Sequence, residues 1–587
     1  MHLRDPQTHE TQGTLSGNGT TGVFHEWQQG DRQRRDDRLG LRTERVLRVG
    51  DDMWIQNSSG EVRRIHGLLA RRQVTQDFID SGDFLAHPEK LTYVGSKTLP
   101  DGRSVYELRV VTEGGEPYTI GIDAKSWLID EESYIDHDSA ETSTYSDFRV
   151  IDGMLIAFTE VDSDGDHGFD LTSHVSKVTV DRPIDPAVFA PLLPFVIQTS
   201  KPVSLPYEVI DGHPAIRIAI GGKSYRFLVD SGSQSDVIDP TLASALGLHP
   251  EGVLEISGAA RTSALGIVDL PPMSIGDATL GPHVATVLDL SHLLRDDSTI
   301  AGILGFPFFG AAEVRLDPDT KTMLIAQPGT LGESIGKIEV DTDRELAEID
   351  ARVEQTPVRL LVDTGNNQEL LVFESFVSAH PGLIPYVGRR VDQNSGVGGT
   401  NAAVRVMVGE LDLGSVRMFN RYADVVLAKH GAFADQNDGG NVGFATLENF
   451  VMTFDLANRA LYLVPAKGFD NGRLRARPDN SVETSWPPRG DAMRASSPHD
   501  DAADRIQHLL GAARGDRPPL ALASLVFGPP PRDGARARRS GIAAGVSASG
   551  GGTKAAGGRR VQAAGGRRVP AAALALGERR AGAPDRR

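Results

Sequence analysis

The feature that most constrains the fold is an internal duplication between residues 200 and 467. Each copy carries a strand-like run that leads into an Asp-Ser/Thr-Gly turn, at 230–232 in the first copy and 363–365 in the second. A glycine among apolar residues follows each Asp, after 75 residues at Gly305 and after 80 residues at Gly443. Offsets that agree this closely predict two β-rich lobes built on one plan.

Two acidic residues at equivalent positions of the two copies can act together as an acid and a base. Carboxyl groups about 3 Å apart cannot both ionise, so they share one proton. The ionised member can take a proton from water while the protonated member polarises a carbonyl group. We therefore expect Asp230 and Asp363 to form an acid pair whose apparent pKa values belong to the pair, with activity on the acid side of neutrality.

Both copies resemble retropepsin-type aspartic protease domains, and the resemblance covers about residues 200–467. It implies that Asp230 and Asp363 are the catalytic residues of a single-chain pseudo-dimer that hydrolyses peptide bonds. In that family an apolar-apolar-Gly segment packs behind each catalytic turn. Lobe one matches this segment closely and lobe two less closely, where Asn441 opens it; the residues expected to pack there are Ile303, Leu304, Gly305, Val442 and Gly443.

The same resemblance assigns supporting roles around the two turns, to Ser231, Gly232, Ser233, Thr364, Gly365 and Asn366. The two glycines let the backbone turn tightly and approach the partner lobe. The hydroxyls of Ser231 and Thr364 are expected to bond across the lobes, and Ser233 to bond the first Asp. Asn366 departs from the usual Ser or Thr but keeps both donor and acceptor groups.

A hairpin that closes over substrate and excludes water is also part of the family's plan. The candidate flap residues are Gly258 in lobe one and Gly398 in lobe two.

Residues 13–195 alternate apolar and polar positions between Gly-containing turns, which predicts an antiparallel sheet. The region resembles the LolA-like lipoprotein-carrier domain, and the residues that carry the resemblance lie at 50–55, 91–95, 102–108, 145–149 and 150–153. It implies a curved sheet around an apolar groove, an apolar ligand, and a periplasmic or secreted protein. A structural spacer and a binding groove remain equally favoured.

Composition excludes several classes of function. The net charge of −18 argues against a general nucleic-acid binder, and the absence of cysteine excludes disulfides and thiol chemistry. No metal site and no cofactor are predicted. No apolar run reaches about 18 residues, so no transmembrane helix is expected. The first residues lack a signal peptide, which leaves the localisation unknown.

The last 120 residues, 468–587, differ from the rest. They hold 21 basic and 11 acidic residues, against 40 and 68 in the remainder, and 73 of them are Gly, Pro, Ala or Arg. Such a composition predicts disorder. Unselected sequence is the favoured explanation, with a basic tail that contacts phosphates as the alternative.

The sequence therefore predicts a mainly β protein: a LolA-like antiparallel domain at 13–195, retropepsin-like lobes at 200–328 and 335–467, and a disordered tail at 468–587. The predicted function is that of a monomeric aspartic endopeptidase acting on a protein or peptide substrate. The alternative is a non-catalytic envelope binding or carrier protein, which uses the amino-terminal groove and keeps the lobes as a scaffold.

Overall fold

The computed structural model describes residues 6–99, 102–136, 139–257, 262–291, 293–294, 299–332, 334–396, 399–472 and 526–527. This part of the chain is mainly β, as the sequence predicts.

The first sheet is antiparallel throughout. Its order is β6-β5-β4-β3-β2-β1-β13-β12-β11-β10-β9-β8-β7, so the chain's seventh strand is one edge and the sixth is the other. The sheet begins at Thr8, five residues before the predicted start of the domain. Its strands are β1 (Thr8–Gly17), β2 (Thr20–Gln29), β3 (Arg32–Leu39), β4 (Arg42–Val49), β5 (Asp52–Gln56), β6 (Val62–Arg64), β7 (Leu91–Thr98), β8 (Ser104–Val110), β9 (Tyr118–Asp123), β10 (Ile129–Asp136), β11 (Ser139–Ile151), β12 (Met154–Ser163) and β13 (Leu171–Val180).

Helix α1 (Leu68–Asp80) connects the two edges of this sheet. It buries Leu68, Arg72, Gln76 and Ile79, whose three- and four-residue spacings place them on one helical face. The two polar members bond to the sheet: Arg72 contacts Asp136 at 2.8 Å, and the amide of Gln76 donates to Glu132 at 3.0 Å. Buried polar groups with such partners avoid most of the cost of desolvation.

Most of lobe one forms an eleven-stranded sheet with order β22-β21-β16-β17-β24-β18-β23-β20-β19-β37, in which β15 pairs with β16. Its strand β37 pairs with β19 although it lies in the range 468–587 that the sequence predicts to be a disordered tail. Its strands are β15 (Glu208–Ile210), β16 (His213–Ile220), β17 (Lys223–Val229), β18 (Val237–Ile238), β19 (Glu251–Ser257), β20 (Thr262–Leu270), β21 (Met273–Ile275), β22 (Ala278–Leu280), β23 (His283–Val287), β24 (Gly302–Leu304) and β37 (Val526–Phe527). Helices α2 (Pro240–Ala245) and α3 (Phe306–Ala311) accompany it.

The third sheet has thirteen strands in the order β14-β26-β25-β35-β36-β27-β28-β29-β34-β30-β33-β32-β31. They are β14 (Val203–Pro206), β25 (Glu313–Asp317), β26 (Thr322–Ala326), β27 (Lys337–Asp341), β28 (Glu348–Val353), β29 (Thr356–Asp363), β30 (Leu370–Phe373), β31 (Asp392–Gly396), β32 (Gly399–Leu413), β33 (Val416–Val426), β34 (Gly440–Gly443), β35 (Phe450–Asp455) and β36 (Ala460–Pro465). Helices α4 (Glu374–Ala379) and α5 (Phe444–Leu447) belong to this half. Short 3-10 turns occur at Asp83–Leu85, Pro88–Lys90, Pro186–Phe189, Ala432–Ala434 and Leu456–Asn458.

The two lobes share part of this third sheet. Strand β25 of the first half pairs with β35 of the second, and β14, β26, β36 and β27 extend the sheet on either side. The shared sheet lies in one continuous hydrophobic core with both lobes. Residues predicted to belong to separate lobes therefore form one continuous hydrogen-bonded ladder.

Each lobe repeats one local arrangement around its Asp turn. In lobe one β17 pairs with β24 in parallel, and β18 pairs with the other side of β24 in antiparallel. In lobe two β29 and β30 flank β34 in the same way. The central strand of each trio is buried, and each turn therefore emerges from the interior of its lobe.

Candidate functional site

The two Asp turns meet between the lobes. Asp230 directly follows β17, and Asp363 is the last residue of β29. Both side chains are fully buried, and the two carboxyl groups act on each other, since the charge of Asp230 raises the pKa of Asp363. The duplication thus brings together the two acidic residues that the sequence singles out.

The residue after each Asp connects the two turns by four hydrogen bonds. The Ser231 hydroxyl donates to the backbone oxygen of Val362 at 2.7 Å, and the Thr364 hydroxyl donates to that of Val229 at 2.7 Å. Each hydroxyl also accepts the partner's backbone N–H, at 2.9 Å for Ser231 N and 3.1 Å for Thr364 N. Since all of these groups are buried, the bonds fix the position of one lobe's turn against the other.

The glycines of the turns contact the carboxyl groups. The backbone N–H of Gly232 donates to Oδ1 of Asp230 at 2.9 Å. A Cβ atom on Gly365 would lie 2.2 Å from Cγ of Asp230 and 2.3 Å from each of its carboxyl oxygens. Only glycine permits this approach between the lobes.

Burial determines the acidity of the pair. Removal from water raises the pKa of Asp230 to about 6, although N–H donors from Gly232 and Gly365 oppose the shift. Burial also raises the pKa of Asp363, and the charge of Asp230 raises it further. We infer that the buried pair holds one proton between its two carboxyl groups.

The glycines predicted to pack behind the turns lie directly against them. A Cβ on Gly305 would lie 2.3 Å from the backbone oxygen of Ser235, and one on Gly443 would lie 2.2 Å from that of Gln368. Helices α3 and α5 begin at the next residues, Phe306 and Phe444, whose N–H groups donate to the backbone oxygens of Ser233 and Asn366 at 2.7 and 2.6 Å. The adjoining Ile303, Leu304 and Val442 are buried.

The third residue after each Asp behaves differently from the sequence expectation. The Ser233 hydroxyl donates to the backbone oxygen of Ser235 at 2.7 Å and not to the Asp230 carboxylate, because that oxygen lies within the same tight loop. In lobe two Asn366 donates to Oδ1 of Asn441 at 2.9 Å, and Asn441 donates to Oδ2 of Asp363 at 2.7 Å. The lobes therefore support their carboxyl groups by different means.

A second buried acid braces the turn of lobe one. Oδ1 of Asp236 accepts the backbone N–H of Gly305 at 2.7 Å, and Oδ2 lies 2.8 Å from Nε2 of His283. Burial opposes the charge on His283, but the bond and charge of Asp236 raise its pKa. The sequence analysis did not identify the contact between Asp236 and His283. The available signal was the position of Asp236, an acidic residue directly before the two apolar residues that follow the turn.

The two flap candidates, Gly258 and Gly398, lie outside the described residues. The strands on either side of them pair in antiparallel fashion: β19 with β20, and β31 with β32. At the base of the first hairpin the backbone N–H of Val253 donates to the backbone oxygen of Asn18 at 3.1 Å, which joins lobe one to the first sheet.

Lobe two also contacts the first sheet, close to the Asp turns. The Asp343 carboxylate accepts backbone N–H groups of His66, Gly67 and Leu69 at 2.6 to 3.3 Å, and so caps the amino terminus of α1. Burial and the neighbouring Asp341 raise the pKa of Asp343.

Two further contacts tie the same loop to its surroundings. Arg63 binds Glu345 at 2.9 Å, and the side chain of Gln234, four residues beyond the first Asp, donates to the backbone oxygen of Arg344 at 2.5 Å. The loop that holds the first sheet is therefore bonded to the Asp230 loop as well.

The buried face of the first sheet is part apolar and part charged. An apolar cluster includes Phe24, Ile156 and Phe158. Beside it Arg35 is buried and pairs with Asp37 at 2.8 Å. The apolar ligand that the resemblance implies stays a prediction.

Among the helices of the described residues, none combines the length and hydropathy needed to cross a membrane. In the same part of the chain, no group of three or more His, Asp or Glu side chains is arranged to hold a metal ion.

Comparison with solved structures gives partial likenesses of fold. A DUF1329 family protein from Desulfovibrio piger has 16% identity and a TM-score of 0.24, over 32% of this chain and 90% of its own. A putative outer membrane lipoprotein-sorting protein domain from Vibrio parahaemolyticus has 11% identity and a TM-score of 0.22, over 31% and 88%. A LolA superfamily protein from Nitrosomonas europaea has 13% identity and a TM-score of 0.24, over 32% and 93%.

No curated protein matches the chain. The family model described as aspartyl protease matches residues 216–308. That range contains the first Asp turn and the glycine behind it, and it ends before lobe two begins. Residues 216–308 are therefore an aspartyl protease-like region.

Proposed function

We propose that the protein is an aspartic endopeptidase whose acid pair consists of Asp230 and Asp363. The observation that supports this most directly is the close approach of the two buried Asp turns, with the Ser231 and Thr364 hydroxyls bonded across the lobes. An acid pair serving only as structure would leave a large desolvation cost without compensation.

One shared proton gives the two members of the pair different roles. The ionised member removes a proton from a water molecule as the water oxygen attacks the peptide carbonyl carbon. The protonated member donates its proton to the carbonyl oxygen, which stabilises the tetrahedral intermediate. When the C–N bond breaks, the departing nitrogen takes a proton from the pair and a hydroxyl of the intermediate returns one, so that the amine and the carboxylic acid leave and the pair keeps one proton.

The experiment is cleavage of a fluorogenic peptide library between pH 3 and pH 8. The wild type should cleave best on the acid side of neutrality, whereas Asp230→Asn should be inactive with nearly unchanged secondary structure. Asp350→Asn is the matched control, because the Asp350 side chain on β28 is 89% exposed and its change should not alter cleavage.

A second measurement does not require knowledge of the substrate. A statine-containing peptide, which imitates the tetrahedral intermediate, should raise the Tm of the wild type at pH 5 but not that of Asp230→Asn. Equal cleavage by wild type and Asp230→Asn would refute the proposal. Failure of the wild type both to cleave and to be stabilised would favour the non-catalytic binding protein.

A further inference from the structure

Asn441 occupies in lobe two the position that Ile303 occupies in lobe one. Ile303 pairs with Leu228 and Asn441 pairs with Leu361, and each of these partners lies two residues before the Asp of its lobe. Both side chains are buried, Ile303 completely and Asn441 to 1% exposure. One lobe therefore places a hydrocarbon where the other places an amide.

The orientation of the Asn441 amide is fixed by its neighbours. The backbone N–H of Gln368 can only donate, so the Asn366 atom that it contacts at 3.0 Å must be the oxygen. The Asn366 nitrogen then faces Asn441 at 2.9 Å and requires an oxygen there. The remaining group of Asn441, its NH₂, is directed at Oδ2 of Asp363 at 2.7 Å.

This chain of donors affects where a proton on Asp363 can lie. A carboxyl oxygen that already carries a proton is a poor acceptor, so an oxygen held by an N–H donor favours the unprotonated form. Oδ2 of Asp363 is held in this way, so a proton is disfavoured on that oxygen.

We propose that Asn441 is a positioning residue: its amide keeps Oδ2 of Asp363 an acceptor and so keeps the proton of the acid pair off that oxygen. The inference deepens the proposed function and rests on it for the catalytic meaning of that proton. The geometry also assigns a role to the side chain of Asn366, which orients the amide of Asn441.

Asp230 is the charged group that acts on Asp363 across the lobes. The nearest acids on the two loops are held by other partners: Asp236 by His283, and Glu369 by the backbone N–H of Tyr422 at 3.3 Å.

The test replaces Asn441 with the residue of the other lobe. A hydrogen bond stabilises a carboxylate more than a neutral acid, so Asn441→Ile should raise the pKa of Asp363. We expect the alkaline limb of the cleavage profile to move up by about one pH unit, with a smaller change in the acid limb. The kcat should fall about ten- to a hundredfold with little change in KM, because Asn441 orients the acid and does not bind substrate.

A stability measurement gives a readout that does not depend on cleavage. An acid whose folded pKa is raised stabilises the protein fully below its unfolded pKa, and this stability is lost as pH rises through the folded pKa. Since Asn441→Ile raises the folded pKa further, its Tm deficit against wild type should be larger at pH 9 than at pH 4. A residue with only a packing role would give equal deficits.

Two more variants complete the design. Ile303→Val removes one methyl-sized group from the equivalent position in lobe one and should lower Tm equally at both pH values, with neither limb displaced. Asn366→Ala keeps the Asn441 amide but releases its orientation, so a smaller shift in the same direction is expected. It provides the test if Asn441→Ile does not fold.

The outcomes separate the two proposals. If the wild type cleaves but neither variant moves the alkaline limb or gives a pH-dependent Tm deficit, the role of Asn441 is refuted and the acid pair stands. If the wild type does not cleave but the Tm deficit still grows with pH, the proposed function fails and the role of Asn441 in placing the proton is supported.

Discussion

Gly365→Ala tests the contact between the lobes with the smallest possible change. The new Cβ atom would lie 2.2 Å from Cγ of Asp230 and 2.3 Å from Oδ1 and Oδ2, more than 1 Å inside an ordinary contact. Asp230 is fully buried and cannot swing into solvent, so the lobes must separate or the carboxyl group must move. The φ angle of Gly365 lies outside the left-handed region, so alanine adds no backbone strain there.

The size of the effect follows from overpacking and from misplacement of a reacting group. Overpacking of a buried site costs about 1–3 kcal/mol. At about 2–4 °C per kcal/mol for a unit of this class, Tm should fall by several degrees. A shift of about 1 Å in the carboxyl group should lower kcat/KM about a hundredfold.

The assay combines thermal unfolding with cleavage of the peptide library at the pH optimum. Gly95→Ala is the control, because Gly95 has no heavy atom within 4 Å of the Cβ position and a φ outside the left-handed region. It should change stability by less than about 0.5 kcal/mol. If Gly365→Ala unfolds and cleaves like the wild type, the lobes do not meet as described, and the case for a shared proton is lost.

The remaining predictions concern the contacts between lobes, the helix cap and pH. Thr364→Val keeps the shape of the side chain but leaves a buried N–H and a buried backbone oxygen without their partner, at about 1–3 kcal/mol each, which urea unfolding would reveal. Asp343→Ala removes the cap of α1 and should cost about 1–2 kcal/mol, while the exposed Asp350→Ala should be near neutral; equal Tm values for the two would contradict the cap. Burial raises the pKa of Asp230 to about 6 and also raises the pKa of Asp363, so the wild type should lose stability as pH rises from 4 to 7. Asp363→Asn should lose less stability over the same range. Parallel curves of Tm against pH for the two proteins would show that the pair does not titrate as inferred.

The duplication is the part of the structure that sequence alone predicts well. The distance along the chain from Asp230 to Gly305 is similar to that from Asp363 to Gly443. The two strand trios are similar for the same reason, because in each lobe the strand next to this glycine runs parallel to the strand that leads into the Asp turn. The exchange of hydroxyl bonds by Ser231 and Thr364 follows once the two turns face each other.

Other features depend on contacts that no local pattern contains. Asn441 weakens the match of lobe two to the apolar segment, yet in three dimensions it contacts Asp363, because its strand lies alongside the strand that ends in that Asp. Ser233 bonds within its own loop, a choice set by loop geometry and not by residue type. The cap that Asp343 supplies to α1 joins residues more than 270 positions apart, a separation that helix-capping patterns do not address.

That cap has a consequence for anyone seeking a minimal fragment. A chain shortened to start at residue 200 would lose the helix whose amino terminus Asp343 binds, and also Arg63, the partner of Glu345. Asp343 and Glu345 would then lose these donors and repel each other. The loop that carries them is bonded to the Asp230 turn through Gln234. Neutral replacements at both positions would be the sensible starting point for such a fragment.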